Sequence, residues 1–170
     1  MDTIATAIER LESAIEQRRG FGVGTARSTT TLGEGLHCST VEGAWCTHAD
    51  LPGAIGGGGS APTPGVLLRA ALGSCMAMSY RLRAAKHGIP VTRIDVTVET
   101  DSEVAGMLSL DAAAPPGYTG VRYHVEIDSP ASPTDVQQII DEGDRLSPIL
   151  DALGRENAVH RTSTVLAGGA

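Results

Sequence analysis

The feature that most constrains the fold is one stretch, Gly56–Met78, which reads GGGGSAPTPGVLLRAALGSCMAM. Proline is accepted in the first turn of a helix, so Pro64 suits a helix start, and Gly88 followed by Pro90 is a typical helix end. We therefore predict a helix from about Pro64 to His87. Its apolar residues lie on nearly every side, which indicates a helix surrounded by protein, at the centre of a domain or at a subunit interface.

This helix is not expected to cross a membrane. Its longest apolar run, Val66 to Met78, is interrupted by Arg69 and is shorter than the roughly 18 residues that a span requires. The segment Pro52–Pro64 before it is predicted to be a loop. Its GGGGS sequence matches flexible linkers, but too few residues precede it to form a separate core.

The remaining patterns predict an α+β domain of antiparallel strands around the long helix. Apolar side chains at Ile4, Ile8, Leu11 and Ile15 form one stripe of an N-terminal amphipathic helix, which should pack on the body or on a partner subunit. We assign residues 1–20 to this helix and 21–170 to a single domain. The other predicted elements are two or three strands within 24–49, strands at 92–100 and 121–128, a short strand at 107–110, helices after Pro133 and from Pro148, and a last strand near 161–166.

Charge and cysteine content restrict the classes of function. The 170 residues carry a net charge of −7 and no cluster of Lys and Arg, which argues against a nucleic-acid partner. The N-terminus lacks the basic start and apolar segment of a signal peptide, so we expect a cytoplasmic protein. Three cysteines in such a chain are expected to be reduced thiols rather than a disulfide framework.

Cys75 has two interpretations. Its helical neighbours are apolar, and burial among such groups raises the pKa of a thiol and makes it inert, so Cys75 is either a small core residue or a nucleophile that needs a cation from elsewhere. The cations that the sequence offers are Arg27, Arg122, His160 and Arg161.

Cys38 and Cys46 flank a predicted hairpin turn at Glu42–Gly43. A two-residue turn there would pair Ser39 with Cys46 and Cys38 with Thr47. The two cysteines would then point to opposite faces, so a disulfide between them is not expected.

The same register places His37 opposite His48, on the face that carries Cys46. Three such side chains are a conceivable metal site. Histidines near strand ends are more often solvated polar residues, so our expectation is that the protein holds no metal and no organic cofactor.

The stretch Gly56–Met78 resembles the core segment of the osmotically inducible protein C and organic hydroperoxide resistance (OsmC/Ohr) family. The resemblance extends over residues 24–167 and includes GIP after the helix and AVHRTSTV near the end. It implies an OsmC-like fold in an intertwined homodimer, with Cys75 near the interface. Active members reduce organic hydroperoxides: the helix thiolate is oxidised to a sulfenic acid, a second cysteine resolves it, and a dithiol reduces the disulfide.

In the family, the reactive cysteine has three partner residues, and the resemblance indicates which residues of this chain stand at their positions. Asn157 stands where the family has its resolving cysteine, and Gly65 stands ten residues before Cys75, where the hydroperoxide resistance branch has a glutamate. That branch's arginine would fall near 33–34, so Arg27 is the candidate thiolate partner here, with a different geometry.

Two functions therefore remain open. The first is a peroxidase that uses Cys75 and a dithiol reductant. The second is a non-catalytic OsmC-like dimer that binds a small apolar molecule at its interface.

Overall fold

The computed structural model describes residues 3–165 and has the predicted α+β architecture. Its strands form two antiparallel sheets, one in the order β1-β2-β3 and the other a β4-β5 pair. The elements, in chain order, are α1 (Thr3–Gln17), β1 (Thr29–Leu32), β2 (Cys38–Glu42), β3 (Trp45–Ala49), a 3-10 turn (Gly53–Ile55), α2 (Pro64–His87), β4 (Arg93–Ser102), α3 (Val104–Met107), β5 (Tyr118–Asp128), α4 (Pro133–Arg145) and α5 (Pro148–Gly154).

Helix α2 begins and ends where the sequence predicts. The Thr63 side chain accepts a hydrogen bond from the Val66 amide, and Gly88 closes the helix in the left-handed conformation with φ +66°. Every fourth residue of one face is buried, and this stripe packs against Ile139 of α4 and against apolar side chains of β4 and β5. The stripe consists of Leu72, Met76, Tyr80 and Ala84.

Another side of α2 remains uncovered within one chain. Met78 is 65% exposed and Leu82 is 39% exposed. The stripe of α1 is also incompletely covered, because Leu11 and Ile15 remain about half exposed although α1 packs beside α2. One face of α2 is thus covered by protein from the same chain, as predicted, whereas the face with Met78 and Leu82 is not.

The hairpin between β2 and β3 turns one residue later than predicted. The turn residues are Gly43 and Ala44, and Cys38 pairs with Ala49 while Ser39 pairs with His48. Gly43 has φ +57°, which a turn with glycine at its first central position requires. Because the turn lies one residue later than predicted, each residue of β2 pairs with a residue of β3 two positions further along. Side chains alternate between faces with a period of two, so every side chain keeps its predicted face and the two cysteines still point to opposite sides of the sheet.

Two predicted strands are wrong within the described residues. The segment predicted as a strand at 107–110 instead ends the short helix α3 and continues into a turn. Residues 156–165 contain neither helix nor strand, and residue 166 of the predicted last strand lies outside the described range. A strand needs a neighbouring edge to satisfy its backbone, and these ten residues pair with none in the described part of this chain.

The helices between residues 3 and 165 differ from membrane-spanning helices in length or in hydropathy. None of them is both long enough and apolar enough to cross a membrane. For α2 the reason is its charged and polar side chains, among them Arg69 and Arg81.

Candidate functional site

Cys75 lies at the edge of the buried stripe of α2 and is half-buried. The Ser147 hydroxyl donates a hydrogen bond to its sulfur, with an Oγ–Sγ distance of 3.5 Å. Ser147 is completely buried and also caps α5 by accepting from the Leu150 amide. Serine before proline is a helix-start signal, but nothing in the sequence links Ser147 to a cysteine 72 residues away.

Among residues 3–165, none of the predicted cations Arg27, Arg122, His160 and Arg161 is hydrogen-bonded to Cys75, whose partner is Ser147. Arg27 lies exposed in the segment before β1, and no hydrogen bond within residues 3–165 joins it to Cys75. Arg122 pairs instead with Asp101 and Glu99 on β4, and its guanidinium lowers the pKa of Asp101. In the described part of the chain, the hydrogen bond at Cys75 therefore comes from a neutral hydroxyl, and the role of Arg27 stays a prediction.

Gly65 lies where the resemblance places a glutamate, and it has a local structural role. A Cβ at this position would lie 2.9 Å from the Tyr118 hydroxyl, so any side chain would require Tyr118 to move. The nearby Arg69 guanidinium donates to the Thr100 hydroxyl at 2.9 Å, rather than turning toward Cys75.

Asn157, which the resemblance places where the family has its resolving cysteine, caps the end of α5. Its side-chain amide donates to the Ala152 carbonyl at 2.8 Å and to the Arg155 carbonyl at 3.2 Å. The residue thus satisfies carbonyl groups at the C-terminal end of α5, and it supplies no thiol.

The glycine-rich loop before α2 is folded around a buried carboxylate, which the sequence analysis missed. Asp50 is 2% exposed and accepts the amides of Leu51, Gly58 and Ser60 and the Ser60 hydroxyl. Glycine is required at Gly57, because a Cβ there would lie 1.8 Å from the Leu51 carbonyl oxygen. An aspartate shortly before a run of glycines was the available signal, since carboxylates are good acceptors for loop amides.

These bonds make the loop sensitive to acid. The Ser60 amide, the Ser60 hydroxyl and the other two amides lower the pKa of Asp50 to about 2. Because the pKa of Asp50 is lower in the folded than in the unfolded protein, its ionisation stabilises the fold. This stabilisation is complete above the unfolded-state pKa near 4 and is lost as the pH falls toward 2.

We expect Asp50→Asn to lower the stability of the protein at pH 7. The variant should also show a smaller decrease in stability between pH 5 and pH 3 than the wild type, measured as urea midpoints.

Asp95→Asn is the control for the Asp50 variant, because the Asp95 side chain is 49% exposed. It should reproduce the wild-type decline with pH. An equally steep decline in the Asp50→Asn protein would contradict the assigned role.

His37, His48 and Cys46 do come together, but they do not form a metal site. His37 Nε2 lies 3.2 Å from His48 Nδ1, whereas Cys46 Sγ lies 3.7 Å from His48 Nε2. Since His48 turns a different nitrogen to each neighbour, the three donors do not converge on one ion. No group of three or more metal-binding side chains within residues 3–165 has a suitable arrangement.

One comparison with known proteins identifies a family. A family model described as "OsmC-like protein" matches residues 57–162. Comparison with curated proteins gives no significant match.

The fold is similar to those of several solved structures. An OsmC-like protein from Mycoplasma pneumoniae is 21% identical, with a TM-score of 0.62 over 77% of this chain and 88% of that one. An organic hydroperoxide resistance protein OsmC from Legionella pneumophila is 20% identical, with a TM-score of 0.58 over 77% and 90%. The organic hydroperoxide resistance protein OhrB of Bacillus subtilis is 16% identical, with a TM-score of 0.51 over 76% and 90%.

Proposed function

Because this chain belongs to the OsmC-like protein family, we propose that it reduces organic hydroperoxides through the thiol of Cys75. The observation that carries the proposal is the position of this thiol. Cys75 is half-buried on the central helix, and its sulfur accepts a hydrogen bond from the fully buried Ser147 hydroxyl. The hydrogen bond holds the sulfur in a defined position, and the thiolate is the nucleophilic form of a cysteine.

The proposed reaction has two stages. The Cys75 thiolate attacks one peroxide oxygen, the O–O bond breaks, and the alcohol leaves with a proton, so that sulfur is oxidised to a sulfenic acid. A dithiol then condenses with the sulfenic acid and releases water, and its second thiol displaces Cys75 to form the reductant's own disulfide. An external reductant suits this chain because Asn157 occupies the position of the resolving cysteine.

The surroundings of Cys75 favour organic over hydrogen peroxide. Met78, one turn after Cys75 on the same helix, is apolar and 65% exposed, so it is available for contact with an alkyl or aryl substituent. Reaction in the cytoplasm, where thiols are kept reduced, is part of the proposal.

Trapping of the sulfenic acid tests the chemical step. Reduced protein is treated with one equivalent of cumene hydroperoxide and then with dimedone, and the cysteine peptides are analysed by mass spectrometry. We expect the dimedone adduct on Cys75 and none on Cys38, because no hydrogen-bond donor to the Cys38 sulfur is described within residues 3–165. An unmodified Cys75 peptide under these conditions would contradict the proposal.

We also propose that the working form is a homodimer. The exposed apolar side chains of α2 need a cover, and so does the face of the sheet β1-β2-β3 that carries Cys38, on which Leu32 and Trp45 are more than half exposed. A small sheet is stable in water only when its apolar face packs against other structure. A second copy, intertwined as the resemblance implies, would supply this cover.

Light scattering after size-exclusion chromatography measures the assembly directly. The protomer mass is 17.5 kDa, and we expect a mass of about twice this value at micromolar concentration. A mass of one protomer would overturn the dimer.

The second candidate function, binding of a small apolar molecule without chemistry, is favoured by one observation. An apolar cavity of about 350 Å³ lies between α1 and α2. Its lining consists of Thr3, Ile4, Ala7, Ile8, Leu11 and Leu82. Saturable binding of a fluorescent fatty acid, weakened by Leu82→Asp, would support this function, and no binding would exclude it for that ligand class.

A further inference from the structure

A second cysteine, on the three-stranded sheet, ends a continuous row of hydrogen-bonded polar side chains. The row runs from Asp50 through Ser60, His37 and His48 to Cys46. We propose that Cys46 is a nucleophilic thiol with His48 as its base, and that low-molecular-weight disulfides modify it by S-thiolation. This proposal does not depend on any activity of Cys75.

The carboxylate sets the direction of the first two hydrogen bonds. Asp50 is ionised at neutral pH, since its hydrogen bonds lower its pKa to about 2, so it can only accept. The Ser60 hydroxyl therefore donates its proton to Asp50 Oδ2, at 2.8 Å. Its remaining lone pairs accept from His37 Nδ1, which lies 2.9 Å away and must carry the proton in this pair.

The two histidines transmit this direction to the thiol. A neutral His37 ring protonated on Nδ1 has a free lone pair on Nε2, which accepts from His48 Nδ1 at 3.2 Å. His48 is then protonated on Nδ1 and presents the lone pair of Nε2 to the Cys46 sulfur, 3.7 Å away. Ser39 Oγ also lies 3.2 Å from His48 Nδ1 and is a second acceptor for the same proton. The thiol proton of Cys46 thus faces an oriented base.

The site is open to small molecules in this chain. Cys46 and His48 are both exposed, whereas Cys38 is half-buried on the other face of the sheet. Because the two thiols point in opposite directions, Cys46 has no disulfide partner in Cys38. An exposed sulfur has room for the group that thiolation attaches.

The reaction is a thiol–disulfide exchange. The Cys46 proton moves to His48 Nε2, the sulfur attacks one sulfur of the small disulfide RSSR, and the S–S bond breaks. The leaving thiolate RS⁻ takes the proton back from His48. The products are Cys46–S–S–R and RSH, so Cys46 is oxidised, half of the small disulfide is reduced, and no other reactant is needed.

The test uses the full chain with Cys38→Ser and Cys75→Ser, which leaves Cys46 as its only thiol. 4,4′-Dithiodipyridine is the disulfide probe, and the rate is followed by release of thiopyridone. At neutral pH we expect the folded protein to react at least about tenfold faster than the same protein in urea, because a positioned base accelerates proton transfer. Equal rates in the folded and unfolded states would overturn the proposal, and this comparison needs no histidine variant.

Histidine variants in that background identify the base. His48→Gln should slow the folded protein about tenfold and change its pH–rate profile to that of a simple thiol, whereas His124→Gln on β5 should change neither. His37→Gln should have a smaller effect, since it removes only the group that orients His48. An unchanged rate and profile in a folded His48→Gln protein would overturn the assignment of His48.

Oxidised glutathione then tests the modification itself. Incubation with this disulfide should add one glutathione group to Cys46, detected by intact mass, with release of one reduced glutathione. Absence of the adduct while dithiodipyridine reacts rapidly would overturn the S-thiolation part of the proposal.

Discussion

Consumption of an organic hydroperoxide with a dithiol reductant is expected to fall to the uncatalysed background in a Cys75→Ser protein. A serine hydroxyl is protonated near neutral pH and cannot pass through the sulfenic acid, so the substitution removes the reacting atom rather than weakening a contact. Serine is also small enough to occupy the same half-buried position on α2. The measurement is the steady-state rate with cumene hydroperoxide, for both proteins at equal concentration.

Two further variants test whether the loss of turnover is specific to Cys75 and its hydrogen bond. Cys38→Ser should leave turnover unchanged, because Cys38 lies on the sheet β1-β2-β3 and faces Ala49. Ser147→Ala should slow turnover by about 10- to 100-fold, since hydrogen bonds to charged groups contribute about 1.5–3 kcal/mol. If wild-type protein turns over no faster than Cys75→Ser, then Cys75 is a packing residue and the ligand-binding function is the better description.

A large loss of stability is expected from Gly143→Ala. A Cβ on Gly143 would lie 2.3 Å from Cδ1 of Tyr80, a ring that is completely buried. Tyr80 cannot move aside easily, because its hydroxyl donates to Asp144 at 2.5 Å, and Ser79 donates to the Gly143 carbonyl at 2.9 Å. Overpacking costs about 1–3 kcal/mol and sometimes more, so we expect a net loss of about 2 kcal/mol despite the higher helix propensity of alanine.

Gly154→Ala is the matched control, because Gly154 is also helical and no atom lies within 4 Å of the added Cβ. It should leave stability unchanged or raise it slightly. A loss of 2 kcal/mol corresponds to a melting temperature about 4–8 °C lower for a chain of this size, measured at equal protomer concentration. Equal melting temperatures for the two variants would mean that α4 does not pack on Tyr80 as described.

The central helix was predictable because all of its signals are local. Pro64, Gly88 and Pro90 define its ends within a few residues of the backbone that they control. The alternation of β4 and β5 is local in the same sense. The position of Cys75 on a long, apolar helix followed from these patterns alone.

The predictions that were wrong or missed concern contacts between distant segments, which the spacing of residues in the sequence does not reveal. Both Glu42–Gly43 and Gly43–Ala44 are acceptable two-residue turns, and the choice depends on the pairing of whole strands. The predicted strand after residue 160 has no neighbouring edge in the described chain. The hydroxyl that bonds Cys75 belongs to Ser147, a residue placed there only by the packing of α4 and α5 on α2.

The carboxylate in the glycine-rich loop has a mechanical consequence. Asp50 directly follows the last residue of β3. Its amide donates to the Pro62 carbonyl, and its carboxylate accepts from the Gly58 amide and from the amide and hydroxyl of Ser60. Four hydrogen bonds therefore connect the end of the sheet to the residues just before α2. We therefore expect this segment to be held rigidly, although its composition is that of a flexible linker. We also expect that a displacement of the sheet, by a bound partner or by modification of a side chain on it, moves the first turn of the helix that carries Cys75.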